Sequence, residues 1–278
     1  MTMRALALTA GIWLMTMVMA YAGTVLHGTF ALQGGVARTA GYLDTAPSAG
    51  PGAWNLDFWM TPKSGGAPIR AFDLDMTKLL HVIIVSDDFK TFIHEHPKLS
   101  STGHFMLGQT LPSPGLYHVY SDGRPSGIGQ QVFRFDFQTG KVIPITPRDL
   151  SERNAVAQVD GYAVTLSSLS LRTGSVAHIA VRIAKGGKPA TDVHPYLRAL
   201  AHAVFLDADD LTYVHVHPVA LGSSMESASA TVYSNDQAVV SPNMLLHVTV
   251  SEPGIYKLWF QFRAGPSLHI ASFVLTAT

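Results

Sequence analysis

HVIIVSDDFKTFIHEHP (81–97) recurs without a gap as HAVFLDADDLTYVHVHP (202–218), and this repetition decides how the rest of the chain is read. His81, Asp88, Thr91, His94, His96 and Pro97 fall on His202, Asp209, Thr212, His215, His217 and Pro218. The same offset holds upstream, where Gly65-Gly66-Ala67-Pro68 matches Gly186-Gly187-Lys188-Pro189 in turn-like surroundings. Downstream, SPGLYHVYSDG (113–123) matches EPGIYKLWFQF (252–262) once an insertion is allowed, and the Ser- and Asn-rich stretch around 222–243 is that insertion, expected as a longer loop.

Both copies read as strands. HVIIV, TFIHEH, GLYHVY and VFRFDF in the first, and HAVFL, TYVHVH, LLHVTV, GIYKLWFQF and ASFVL in the second, are short β-branched and aromatic runs punctuated by Gly, Pro, Asp and Ser. Such spacing predicts an all-β chain of two sandwich or barrel domains, each of about 100 residues. The boundaries are 23–145, with an N-terminal extension, and 158–278. TPRDLSERNAVA (146–157), with Thr or Asp as a cap and mixed charges, is the one stretch that reads as helix, and it serves as the linker.

A chain of 278 residues that is 47% hydrophobic and 14% charged has enough apolar material for one large core or two ordinary ones. Nineteen basic side chains balance nineteen acidic ones, so no net field draws it to nucleic acid or to an anionic membrane surface. Arg4, the apolar run 5–22 and the closing Ala20-Tyr21-Ala22 read as a secretory signal over residues 1–22. The alternative is an uncleaved anchor in the inner membrane, and either way a periplasmic or secreted location is expected. With no Cys, disulfides, thiolate ligands and a blue-copper site are excluded. Five of the ten Met lie in the signal, so no Met-rich copper motif is visible.

Pro114-Gly115-Leu116-Tyr117 and Pro253-Gly254-Ile255-Tyr256 resemble the step into a late strand of many bacterial immunoglobulin-like sandwiches, the YtkA-like domains among them. Together with the histidine block, residues 55–278 resemble an uncharacterised family of exported bacterial proteins with a duplicated HVIIVS-D-F-HxHP signature. The resemblance implies two tandem immunoglobulin-like β-sandwiches. Tyr117 and Tyr256 are then corner residues with a buried hydroxyl contact.

Histidines two apart on a strand share a face, which sets His94 beside His96 and His215 beside His217, with Cα atoms about 7 Å apart. A tight hairpin centred on Asp87-Asp88 places His81 opposite His94, and one centred on Ala208-Asp209 places His202 opposite His215. Three imidazoles converge in each copy. That set suits copper or zinc and not calcium or magnesium, which take oxygen ligands. The expectation is one metal site per repeat, from His81, His94 and His96 and from His202, His215 and His217.

The competing reading leaves the same histidines as hydrogen-bonded residues that pin a hairpin, the His-Pro step ending the strand. His104 and His118 become Asn243 and Lys257 in the second copy, and His194 stands where the first has Asp73, so none of these defines a shared site. His194 is a candidate extra ligand from a loop and His27 a flexible one, while His178, His247 and His269 read as packing or surface residues. Asp87, Asp88, Asp207, Asp209 and Asp210 read as turn formers.

Three functions follow in order. The first is an exported buffer or delivery module for a divalent or monovalent transition metal. The second is an interaction module for another envelope protein. The third is a metalloenzyme of the cupin type, disfavoured because the Glu that cupins place after His-x-His is missing from both Lys98-Leu99-Ser100-Ser101 and Val219-Ala220-Leu221-Gly222. No nucleophile elbow, phosphate loop, His-Glu-x-x-His or dinucleotide fingerprint occurs, so a familiar soluble enzyme is not expected.

Overall fold

The computed structural model describes residues 23–141, 146–222 and 233–278, and the stretch 1–22 that reads as a signal in the sequence lies outside the described residues. The chain is all-β, built from two sandwiches of antiparallel sheets. In the first, an outer sheet runs Thr24–His27, Thr39–Pro47, Ala53–Pro62, Phe105–Thr110, Lys98–Leu99. Its inner sheet runs Thr29–Phe30, Gln131–Thr139, Gly115–Pro125, Leu80–Ser86, Phe92–Glu95. The second sandwich repeats the inner order as Ser170–Leu171, Ser267–Ala277, Gly254–Ala264, His202–Asp207, Tyr213–Val216. One departure is the first of these strands, which lies parallel to its neighbour in the second repeat and antiparallel in the first.

The strands Leu80–Ser86 and His202–Asp207 are buried along their whole length, which fits their unbroken apolar sequence. One face of each serves its own sandwich: Leu80, Val82 and Ile84 pack in the first core, Ala203 and Phe205 in the second. The other faces meet each other. Ile83, Val85, Tyr120 and Val132 of the first repeat pack with Val204, Leu206, Tyr213 and Trp259 of the second in a third core. Tyr120 and Tyr213 stack there at 5.1 Å, and the Tyr120 hydroxyl donates to the Leu211 carbonyl at 2.9 Å. Tyr117 and Tyr256 donate to the carbonyls of Ser113 and Glu252, at 2.7 and 2.9 Å, the corner contact expected of them.

The expected helix at 146–157 does not form, and no helix is present among the described residues. A lone segment of that length is marginal as a helix, and its polar groups find better partners across the two repeats. Arg148 donates to the carbonyls of Asp87 and Ala208 and to the Asp87 carboxylate, joining the two histidine hairpins at their turns. The Asp149 N–H donates to the Asp88 carbonyl at 2.8 Å. Glu152 takes the buried Lys257 ammonium, and its carbonyl accepts from Val274 at 2.8 Å. The segment is an extended strap that enters the second repeat as the strand Val156–Val159.

Because the third core is common to both sandwiches, Leu206→Ala is expected to remove about 2–5 kcal/mol of stability. Urea unfolding followed by tryptophan fluorescence and by far-ultraviolet dichroism checks this. Coincident curves that shift together are expected, and separate transitions would show that the repeats unfold independently.

Candidate metal centre

The hairpins that carry the histidines have four-residue loops, Asp87–Lys90 and Ala208–Leu211, closed by the pairs Ser86 with Thr91 and Asp207 with Thr212. His94 therefore stands opposite Ile83 and His215 opposite Val204, not opposite His81 and His202 as a tight turn requires. Carried one step past the last pair, the register sets His81 level with His96. The slip is by two residues, so every histidine stays on its expected face. Phe89 and Leu211 adopt left-handed φ of 61° and 63°, and their side chains are held in the third core, which offsets the strain. Asp88, Asp207 and Asp210 bond nearby loop groups as expected of turn formers. Asp87 instead serves Arg148 and His118.

The first triad converges closely. His81 Nδ1 lies 3.1 Å from His94 Nε2 and 3.2 Å from His96 Nε2, and the last two are 3.1 Å apart. In the second, His202 Nδ1 lies 3.4 Å from His215 Nε2 and 3.1 Å from His217 Nε2. The third core also brings the two triads face to face. His81, His94, His202 and His215 each offer a nitrogen within 4.8 Å of the other three, a cluster of buried imidazoles that can hold a metal ion. Beside the expected set of three in each repeat there is thus a group of four drawn from both, since each triad lies on the face its repeat turns toward the other.

The ring centres of these four sit near the corners of a tetrahedron. Their six ring-centre separations are 5.3, 6.0, 5.0, 5.1, 5.4 and 5.6 Å. A tetrahedral ion with bonds of about 2.05 Å to imidazole nitrogen sets ring centres about 5.2 Å apart. His96 and His217, only half-buried, flank this core from opposite repeats.

Each core imidazole has its outer nitrogen committed. His81 Nε2 donates to the Asp75 carbonyl at 3.4 Å, and His202 Nε2 to the equivalent Tyr196 carbonyl at 3.1 Å. Those carbonyls sit on paired tight turns, Asp75 to Lys78 and Tyr196 to Ala199, in which Met76, Leu197 and Arg198 hold positive φ of 55°, 51° and 67°. Strain kept at the same place in both repeats marks a positional demand. The other two contacts cross between repeats. His94 Nδ1 faces the Gln261 side-chain oxygen at 3.0 Å, and His215 Nδ1 faces the Asp122 carboxylate at 3.5 Å. In the tautomer that puts each proton on the outer nitrogen, the four inner lone pairs face one another.

Burial, reinforced by repulsion between the rings, holds His94, His202 and His215 well below the ordinary imidazole range. Burial likewise brings His96 down to about 3 and His217 to about 4. Neutral imidazole is the metal-binding form, so these five side chains are in that form near pH 7. Burial pushes the Asp122 carboxyl up, opposed by His81 and by the hydrogen bond from Gln130.

The remaining histidines stay apart. His104 bonds Asp57, His118 bridges Asp87 and Asp136, and His269 bonds Asp160. His194, a candidate fourth ligand, faces the Ala238 carbonyl at 3.0 Å instead, and His27 packs edge-on to Tyr42. Sequence reasoning missed Asp122 and Gln261. They align with each other in the matched blocks as polar residues inside apolar strands, which was the available signal.

A family model described as "Domain of unknown function (DUF8832)" matches residues 43–140 and 157–278. The chain belongs to this family. No curated protein matches it in sequence. Both matched segments of this DUF8832 chain contribute half of the four-histidine core.

The depressed histidines make metal-free stability depend on pH. Unfolded imidazoles titrate near 6.5 and the folded ones far below, so between about pH 4 and 6.5 the unfolded chain binds more protons. Stability is full above that window and falls as pH drops through it. The urea midpoint of metal-free protein is expected to be clearly lower at pH 5 than at pH 7.5, and an unchanged midpoint would show that the imidazoles are not buried neutral.

Proposed function

We propose that this is an exported metal-binding protein that holds one zinc or copper ion between its repeats, as a buffer or delivery module. The observation that carries the reading is the set of four converging inner nitrogens, each on a ring whose outer nitrogen faces a fixed oxygen. Backbone carbonyls and the Gln261 and Asp122 side chains face the outer nitrogens alone, and the inner ones have only each other. Here a cation is what satisfies the inner nitrogens. A near-tetrahedral arrangement of four imidazole rings suits Zn(II) or Cu(I) better than Cu(II), which prefers a tetragonal arrangement.

Four protein ligands close the coordination shell, which favours storage or transfer over catalysis, where a position is kept open. His96 and His217 supply the means of transfer. Each sits at the more exposed side with its Nε2 at 3.1–3.2 Å from core ligand nitrogens, as a neighbouring ligand in an exchange would. The signal-like segment 1–22 and the absence of Cys support action outside the cytoplasm, on metal or with another envelope protein.

Elemental analysis of residues 23–278, prepared without a histidine tag, loaded with zinc or copper and desalted, tests this. One equivalent per chain is expected, lost in a His81→Gln, His202→Gln double variant and kept in His96→Gln and His217→Gln. Two equivalents would restore separate sites in each repeat, and no retained metal would refute the function.

A further inference from the structure

We propose that Asp122 sets the charge preference of the shared centre, favouring a divalent ion over a monovalent one. This rests on the metal-binding reading above. Asp122 lies on the strand Gly115–Pro125, paired with His81 on the neighbouring strand, and is 2% exposed. Its carboxylate accepts from Gln130 Nε2 at 2.8 and 3.0 Å and from the Tyr213 hydroxyl at 3.3 Å, and it faces His215 Nδ1 at 3.5 Å. All three partners are uncharged. The neighbouring Asp75 carboxylate is matched by Arg124 at 3.9 Å. With a cation on His215, an ionised Asp122 brings a negative charge behind one ligand that no cationic side chain contacts, where low polarity makes it felt.

The equivalent residue of the second repeat is neutral. Gln261 pairs with His202 across the strands, as Asp122 does with His81, and faces His94, as Asp122 does His215. Both positions therefore orient an imidazole of the opposite repeat, but one alone adds charge. Four neutral imidazoles leave the ion's full charge in a dry site. The Coulomb energy between that ion and Asp122 grows in proportion to the ionic charge, so a divalent ion gains twice what a monovalent one does. Orientation of His215 alone, by contrast, would help both ions equally.

Asp122→Asn keeps the shape and removes the charge. Affinities of the intact protein for Zn(II) and for Cu(I), under anaerobic conditions, are read by competition with chromophoric chelators, and dichroism confirms folding. Zn(II) affinity is expected to fall about ten- to a hundredfold, as is usual when a partner of a ligand is altered, and Cu(I) affinity by about the square root of that factor. Gln261→Glu supplies the converse, raising Zn(II) affinity more than Cu(I) affinity, and carries the test if Asp122→Asn does not fold. Equal losses for both ions would make Asp122 an orienting acceptor only, and no loss would remove it from the site; either result overturns the proposal while leaving metal binding intact. Failure of the unaltered protein to bind either ion would sink the metal reading and this inference with it.

Discussion

Everything at the centre of this molecule depends on two strands being buried on both faces. Leu80–Ser86 and His202–Asp207 each give one row of side chains to their own sandwich and the other to the opposite repeat. Apolar residues fill most of the second row, and the driving force for closing it is ordinary removal of apolar area from water. That closure carries His81 and His202 into the same dry space. Imidazoles that would be unremarkable on a solvated sheet become a clustered set of neutral donors, because the apolar contact around them leaves them no water.

Much of this was legible in the sequence. Strand positions and the face shared by each histidine triad follow from period-two patterning, the repeat from self-comparison, and the corner tyrosines from the resemblance carried by the Pro-Gly-x-Tyr step. The hairpin register was misplaced by two residues, yet the faces survived because side chains alternate with that same period. HVIIV and HAVFL are continuous apolar runs where a one-sided strand would alternate, and that continuity announces the two-sided burial. Local pattern cannot supply what depends on distant chain segments. The 146–157 stretch has helical composition, but Arg148, Asp149 and Glu152 are worth more as a strap bound to residues from both repeats.

The cross-repeat contacts were beyond sequence reasoning for a related reason. Asp122 lies 93 positions before His215, and Gln261 lies 167 after His94. Nothing near either residue says which ring it will meet. Their role emerges only when the two inner sheets are laid together, and it then explains why polar side chains sit in the otherwise apolar strands Gly115–Pro125 and Gly254–Ala264.

The pairing of Asp122 with Gln261 also bears on parity. Two identical subunits related by a twofold axis, each contributing one such repeat, must place the same residue behind both rings. Such an assembly can hold no carboxylate or two, never one. Joining the repeats in a single chain frees the two positions from each other and makes an odd charge available at a nearly symmetric centre. Covalent tandem duplication thus widens the range of cations that one fold can be tuned to accept, without moving any ligand.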